Sequence, residues 1–154
     1  MLAATHVIFG VGLSLLVSQA VAPESAVVMT AAGAVGSLLP DIDHPKSTFG
    51  RMIWPVSSII GGIFGHRGIT HSFLAVAALL WLFATNHRLP AWAVGLAVGY
   101  ASHLLADWLT PCGVPLFWPS KKMYRSPRPI PTGGFGESVL SLSLVMVGVL
   151  WALR

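Results

Sequence analysis

Charge is what this sequence has least of: 9% of its 154 residues are Asp, Glu, Lys or Arg, against 55% that are hydrophobic. Soluble domains carry about 25% charged residues, so a water-exposed surface over the whole chain is excluded. Cysteine is nearly absent too. The single Cys112 cannot form an internal disulfide or build a thiolate metal site, and it reads as a small buried residue. No His-Glu-x-x-His occurs, and no Ser–His pair stands at mid-membrane depth, which argues against an intramembrane protease. Residues 1–22 end in Ala20-Val21-Ala22, a pattern a signal peptidase can cut, yet no Lys or Arg precedes the apolar run. A transmembrane helix is the expectation there.

What is present is long apolar stretches, with a mean hydropathy of +0.76. Five stand out: Thr5 to Ala22, Pro23 to Leu39, Thr70 to Thr85, Pro90 to Leu109 and Glu137 to Leu153. Spans need roughly 17–25 such residues, so the pattern predicts an all-α, polytopic helix bundle in one membrane domain, residues 1–154. The run Val56 to Gly65 is too short to span and is expected to be re-entrant or interfacial. The stretch from Thr110 to Gly136 holds six of the eleven prolines and is expected to form an irregular cap.

The net charge of +4 does not call for nucleic acid, because the basic residues lie between apolar segments. Seven of the nine fall in two connections: Lys46, Arg51 and Arg67 in one, Lys121, Lys122, Arg125 and Arg128 in the other. By the positive-inside rule those connections face the cytoplasm, with the N-terminus inside. Trp54, Trp108 and Trp118 then fall at the inner interface, and Trp81, Trp92 and Trp151 at the outer one. Membrane lipids are the expected surroundings, in a bacterial inner membrane.

On this topology nine of the eleven His, Asp and Glu residues gather at the inner end: His6, Asp41, Asp43, His44, His66, His71, His103, Asp107 and Glu137. Glu24 and His87 lie on the other side. Ionisable groups at membrane depth are expensive and mark functional cavities. Imidazoles and carboxylates without thiolates suit zinc, with manganese a second candidate, and nine donors leave room for one to three ions. His103 and Asp107, four apart, share one helix face; Gly95 and Gly99 extend that line as a small-residue stripe. Pro40 and Pro45 bracket Asp41, Asp43 and His44 in a restricted turn. Gly68 permits a turn, Thr70 reads as a helix N-cap, and His71 follows in the first helical turn. Each group has a plainer reading: a His–Asp pair locking helices, an interfacial capping loop, a packed His6, a Glu137 that complements its helix dipole.

The motifs PDIDHP, HRGITHS and HLLADWLTPCGVPLFWP resemble those of the YdjM-type family, bacterial inner-membrane proteins described as metal-dependent hydrolases. The resemblance runs from His6 to Glu137 and implies a multi-pass membrane protein with such a site. More distantly, the ligand order is similar to that of the zinc-dependent phospholipase C and nuclease group. That order corresponds to His6, Asp41 or Asp43, His71, His103 and Asp107, with the later histidines of that group missing.

The expectation is therefore a membrane-embedded hydrolase with a metal centre at the cytoplasmic interface. His71, His103, Asp107 and Asp41 hold the main ion, and His6 and Glu137 complete a second through Asp107. Asp43 is the expected general base unless it is a ligand. Arg67, with Lys121 or Lys122, faces substrate charge, and a phospholipid or another phosphoester is the expected substrate. A divalent-metal transporter or sensor, and a non-catalytic scaffold, are the rival readings.

Overall fold

A computed structural model describes residues 1–65, 67–84 and 89–154. The described residues form seven α-helices: α1 (Ala3–Val21), α2 (Ala26–Gly36), α3 (Thr48–Met52), α4 (Trp54–Phe64), α5 (Phe73–Phe83), α6 (Ala91–Trp108) and α7 (Phe135–Ala152). Three-residue and four-residue 3₁₀ turns at Pro23–Ser25, Pro40–Asp43 and Ile69–His71 join them. Among the described residues no strand forms, and Val114 and Tyr124 make an isolated antiparallel bridge.

Three of the described stretches are long and apolar enough to cross a bilayer: Ala3–Val21, Pro23–Asp43 and Phe135–Ala152. The first corresponds to about 28 Å of helix at 1.5 Å per residue, close to a hydrocarbon core. α4 and α5 have 11 residues each, about 16 Å, and neither helix spans alone. For α4 that agrees with the short run expected around residues 56–65; for α5 it departs from the span expected there, because its described α-helix has only 11 residues. The third apolar stretch, expected as helix from Thr70, starts its α-helix only at Phe73, after the 3₁₀ turn; its expected end at Thr85 lies outside the described residues, as does His87.

The bundle is built on α1, α2, α6 and α7, with α2 against α6 and α1 against all three others. Between α2 and α6 the packing is backbone to backbone. A side chain at Gly99 would collide with the carbonyl oxygen of Gly33, and one at Gly95 with that of Met29. Small residues permit such approach in lipid, where apolar burial gives helices no reason to associate. Met29, Ala93, Ala97, Tyr100 and Leu104 fill the interior around this contact.

The proline-rich segment after α6 does cap one end of the bundle. Ser126 N–H donates to Trp108 O (2.8 Å) and Ile130 N–H to Leu109 O (2.7 Å), which satisfies carbonyls a helix end leaves open. Phe73 N–H donates to Leu116 O (2.9 Å), tying the start of α5 to the same cap. Cys112 is exposed on this cap, not buried, because it sits in the turn just past α6 instead of on a packed helix face.

Candidate metal centre

The end of the bundle under the cap collects the starts of α1, α5 and α7 and the ends of α2 and α6. Four donor atoms converge there. His71 Nε2 lies 3.6 Å from Asp41 Oδ1 and 4.0 Å from Asp107 Oδ2. His103 Nε2 lies 3.7 Å from Asp41 Oδ1 and 3.9 Å from Asp107 Oδ2. Ligands at about 2.0–2.1 Å from a tetrahedral zinc ion stand about 3.3 Å apart, so a contraction of a few tenths of an ångström would serve for Asp41, His71 and His103, whose donor atoms all lie within 4.8 Å of one another. Asp41, His71 and His103 form one group of three donors, and His6, His103 and Asp107 form a second that shares His103 with it. The His6 and His103 rings stack 3.8 Å apart, and His6 Nε2 stands 3.4 Å from Asp107 Oδ1.

What lies behind each imidazole sets which nitrogen it presents. His103 Nδ1 is 2.7 Å from the Ser37 carbonyl oxygen. A carbonyl only accepts, so Nδ1 carries the proton and Nε2 of the neutral ring keeps its lone pair. That Nε2 is buried and has no hydrogen-bond partner. Behind His71, Asp43 Oδ2 stands 3.5 Å from Nδ1. The same oxygen accepts from Thr70 Oγ1 (2.6 Å) and from the Arg67 backbone N–H (2.9 Å).

Asp43 is 1% exposed. Its place is fixed by α4, where Gly61 faces the Asp43 carbonyl with no room for a side chain. Thr70 is therefore not the N-cap of α5, a position Ser72 occupies; its hydroxyl turns to Asp43 instead.

Arg67 links the centre to the cap. Its guanidinium donates to Asp107 Oδ2 (2.9 Å) and to Gly113 O (2.9 Å). The backbone is at φ +62°, a left-handed conformation uncommon for a residue with a side chain. Asp107 also receives the Met1 amino group at 3.1 Å on Oδ1. Each Asp107 oxygen thus faces a cation and at least one imidazole.

A family model described as YdjM inner membrane protein matches residues 1–153. The chain belongs to the YdjM inner membrane protein family. It is 51% identical over 102 residues to "Inner membrane protein YdjM" of Escherichia coli (strain K12), covering 63% of this chain and 52% of that one. The YdjM protein of Shigella flexneri matches to the same extent. "Uncharacterized protein YvsG" of Bacillus subtilis (strain 168) is 39% identical over 122 residues, 78% of this chain and 75% of that one. The chain spans about half the length of the YdjM relatives it matches. No solved structure matches.

Of the donors expected from the sequence of this YdjM-family chain, His6, Asp41, His71, His103 and Asp107 come together. Asp43 stands one layer back. His44 lies outside both donor groups, its Nδ1 3.3 Å from the Lys46 backbone nitrogen, and His66 is outside the described residues. Glu137 is buried but turned to backbone: Oε1 accepts from Leu2 N–H (3.0 Å) and Oε2 from Gly133 N–H (2.7 Å). It ties the starts of α1 and α7 together, reaching back to the N–H of the residue before the α7 N-cap, Gly134.

Ser37, Thr70 and Tyr100 are contributors the sequence reading did not single out for the site. Tyr100 donates to Thr70 O (2.5 Å), steadying the turn that carries His71. Its spacing of three from His103 on α6 was a signal available in the sequence.

Proposed function

We propose that this protein is a metal-dependent hydrolase of the membrane interface, acting on a phosphoester such as a phospholipid. The observation that carries the reading is His103 Nε2: buried, oriented by Ser37 and without a hydrogen-bond partner beside two carboxylates and a second imidazole. An orphaned acceptor at such a place costs free energy comparable to a lost hydrogen bond, and a cation removes that cost. The donor set fits a zinc-type ion, with manganese an alternative. Asp41, His71 and His103 would hold the main ion with Asp107 beside them, and His6 with Asp107 would stand at the edge of a second, because the single Nε2 lone pair of His103 serves one ion.

Such an ion supplies a Lewis acid and an activated water. The chain's own residues do the rest. Asp43 steadies the His71 ring from behind together with the Thr70 hydroxyl, which stands 3.1 Å from Nδ1, a positioning task that suits its burial and its bonds from Thr70 and Arg67 better than proton abstraction does. Arg67 neutralises Asp107 and keeps N–H groups beside the cap, where they can meet negative charge that develops on a phosphoryl group. The basic connections that carry Arg67 and Lys121 favour a cytoplasmic orientation of this end, with the N-terminus inside.

The test is turnover by the purified full chain with added zinc or manganese on phosphomonoester, phosphodiester and phospholipid substrates. Hydrolysis that is lost in chelator and in His103→Ala is expected. A metal-loaded protein inert on all three classes, yet carrying zinc flux in proteoliposomes, would transfer the site to transport. Against transport, among the described residues both donor groups lie at one end of the bundle.

A further inference from the structure

Between α4 and the cap lies a cleft of about 360 Å³, walled by Phe64, Trp118, Met123, Pro115, Arg67 and Lys121. This volume is within the range of small-ligand sites. Its walls divide by chemistry. Two cations stand on it, one of them Arg67, whose guanidinium also touches Asp107 of the donor cluster. The apolar walls are aromatic and open to the surroundings: Phe64 and Trp118 meet edge-on at 6.3 Å and are 41% and 37% exposed. Among the described residues no carboxylate lines the cleft; Arg67 is paired with Asp107 behind the wall, and Lys121 adds a positive charge to the lining. The neighbouring Lys122 is otherwise engaged, its Nζ 5.4 Å from the centre of the Tyr124 ring.

We infer that this cleft is the recognition subsite for an anionic phosphate amphiphile, its phosphate between Lys121 and Arg67 and its apolar chain along Trp118, Phe64 and Met123. Two cations and exposed aromatic surface in one lining match a ligand with both parts, and neither part alone uses the whole cleft. Because Arg67 belongs to the cleft wall and to the Asp107 pair, a phosphate held there lies beside the donor cluster. The assignment deepens the hydrolytic reading and rests on it for the fate of the bound ligand, whereas binding stands by itself.

The experiment is a calorimetric titration of the detergent-purified full chain with dihexanoyl phosphatidic acid, glycerol 3-phosphate, inorganic phosphate and dihexanoyl phosphatidylcholine. The acidic lipid is expected to bind tightest. Lys121→Glu weakens it by at least about tenfold, the scale of one charge-assisted hydrogen bond, while Lys122→Glu, an equal change of charge one residue on, stays within about twofold. Trp118→Ala removes the preference for the acylated ligand over glycerol 3-phosphate. Metal content remains that of the parent in all three variants.

Equal losses in the two lysine variants would reduce the effect to general attraction by a basic loop and overturn the proposal. So would inorganic phosphate or phosphatidylcholine binding as tightly as phosphatidic acid. Selective binding without any hydrolysis by metal-loaded protein upholds the subsite and overturns the hydrolytic reading alone.

Discussion

Replacing Asp43 by Asn keeps the shape of the side chain and removes the negative charge behind His71. The carboxylate is 1% exposed, and its Oδ2 meets His71 Nδ1 at 3.5 Å, the Thr70 hydroxyl at 2.6 Å and the Arg67 amide at 2.9 Å. In the Asp43→Asn variant the side-chain amide oxygen can still accept from Thr70 and Arg67, so the turn should hold. What disappears is the charge that steadies the His71 ring and raises its basicity. Loss of such an outer partner costs about 10–100-fold in metal affinity, which is about 1.4–2.7 kcal/mol. Titration of zinc against a chelating dye measures this directly. Asp43→Asn should bind the same number of ions at saturation with affinity lower by that factor. Asp43→Ala should also unfold more easily, because the buried Thr70 hydroxyl loses its acceptor at roughly 1–3 kcal/mol. A stoichiometry that falls at saturating zinc would make Asp43 a ligand. An affinity unchanged in Asp43→Asn would refute the positioning role.

Other perturbations follow from the same geometry. Gly99→Ala drives a methyl group into the Gly33 carbonyl, and overpacking of this kind costs about 1–3 kcal/mol; thermal unfolding in detergent should show a lowered midpoint, and an unchanged one would contradict the close α2–α6 contact. Glu137→Gln turns one accepting oxygen into a donor against the Leu2 or Gly133 N–H. It should lower stability by about 1–3 kcal/mol while zinc stoichiometry stays at the parent value; loss of metal with stability intact would reverse the assignment of Glu137. Zinc at 100 times its dissociation constant should stabilise the fold by about 2.7 kcal/mol, seen as a midpoint that rises with zinc and falls back in chelator. A midpoint indifferent to both would favour the scaffold reading.

The parts of this molecule readable from sequence are those set by local periodicity. His103 and Asp107 are four apart on one helix and had to share a face; Gly95 and Gly99 continue that face and do meet the α2 backbone. The apolar runs located α1, α2, α6 and α7, and the prolines marked the cap. Contacts made by loops were not readable in this way. Arg67 looked like a donor for phosphate or carboxylate, but only the fold of the cap decides that Asp107 and Gly113 receive it. Asp41 and Asp43 are two apart in one turn and chemically alike, and their division into a donor facing the cluster and a support behind His71 depends on α4 packing against that turn. Glu137 looked like a ligand because it is acidic at the correct end. Its partners include the backbone N–H groups of Leu2 and Gly133, which carry no mark in the sequence. The cleft beside Arg67 was hinted at by Lys121 and Lys122 as a pair, and the Tyr124 ring separates their roles.

The most direct measurement is elemental analysis of the detergent-purified full chain after saturation with zinc and removal of the free ion. At least one tightly held ion per chain is expected, and it should be missing from both His103→Ala and Asp107→Ala when each remains folded. Parent protein that retains no metal, or variants that retain as much as the parent, would contradict the account.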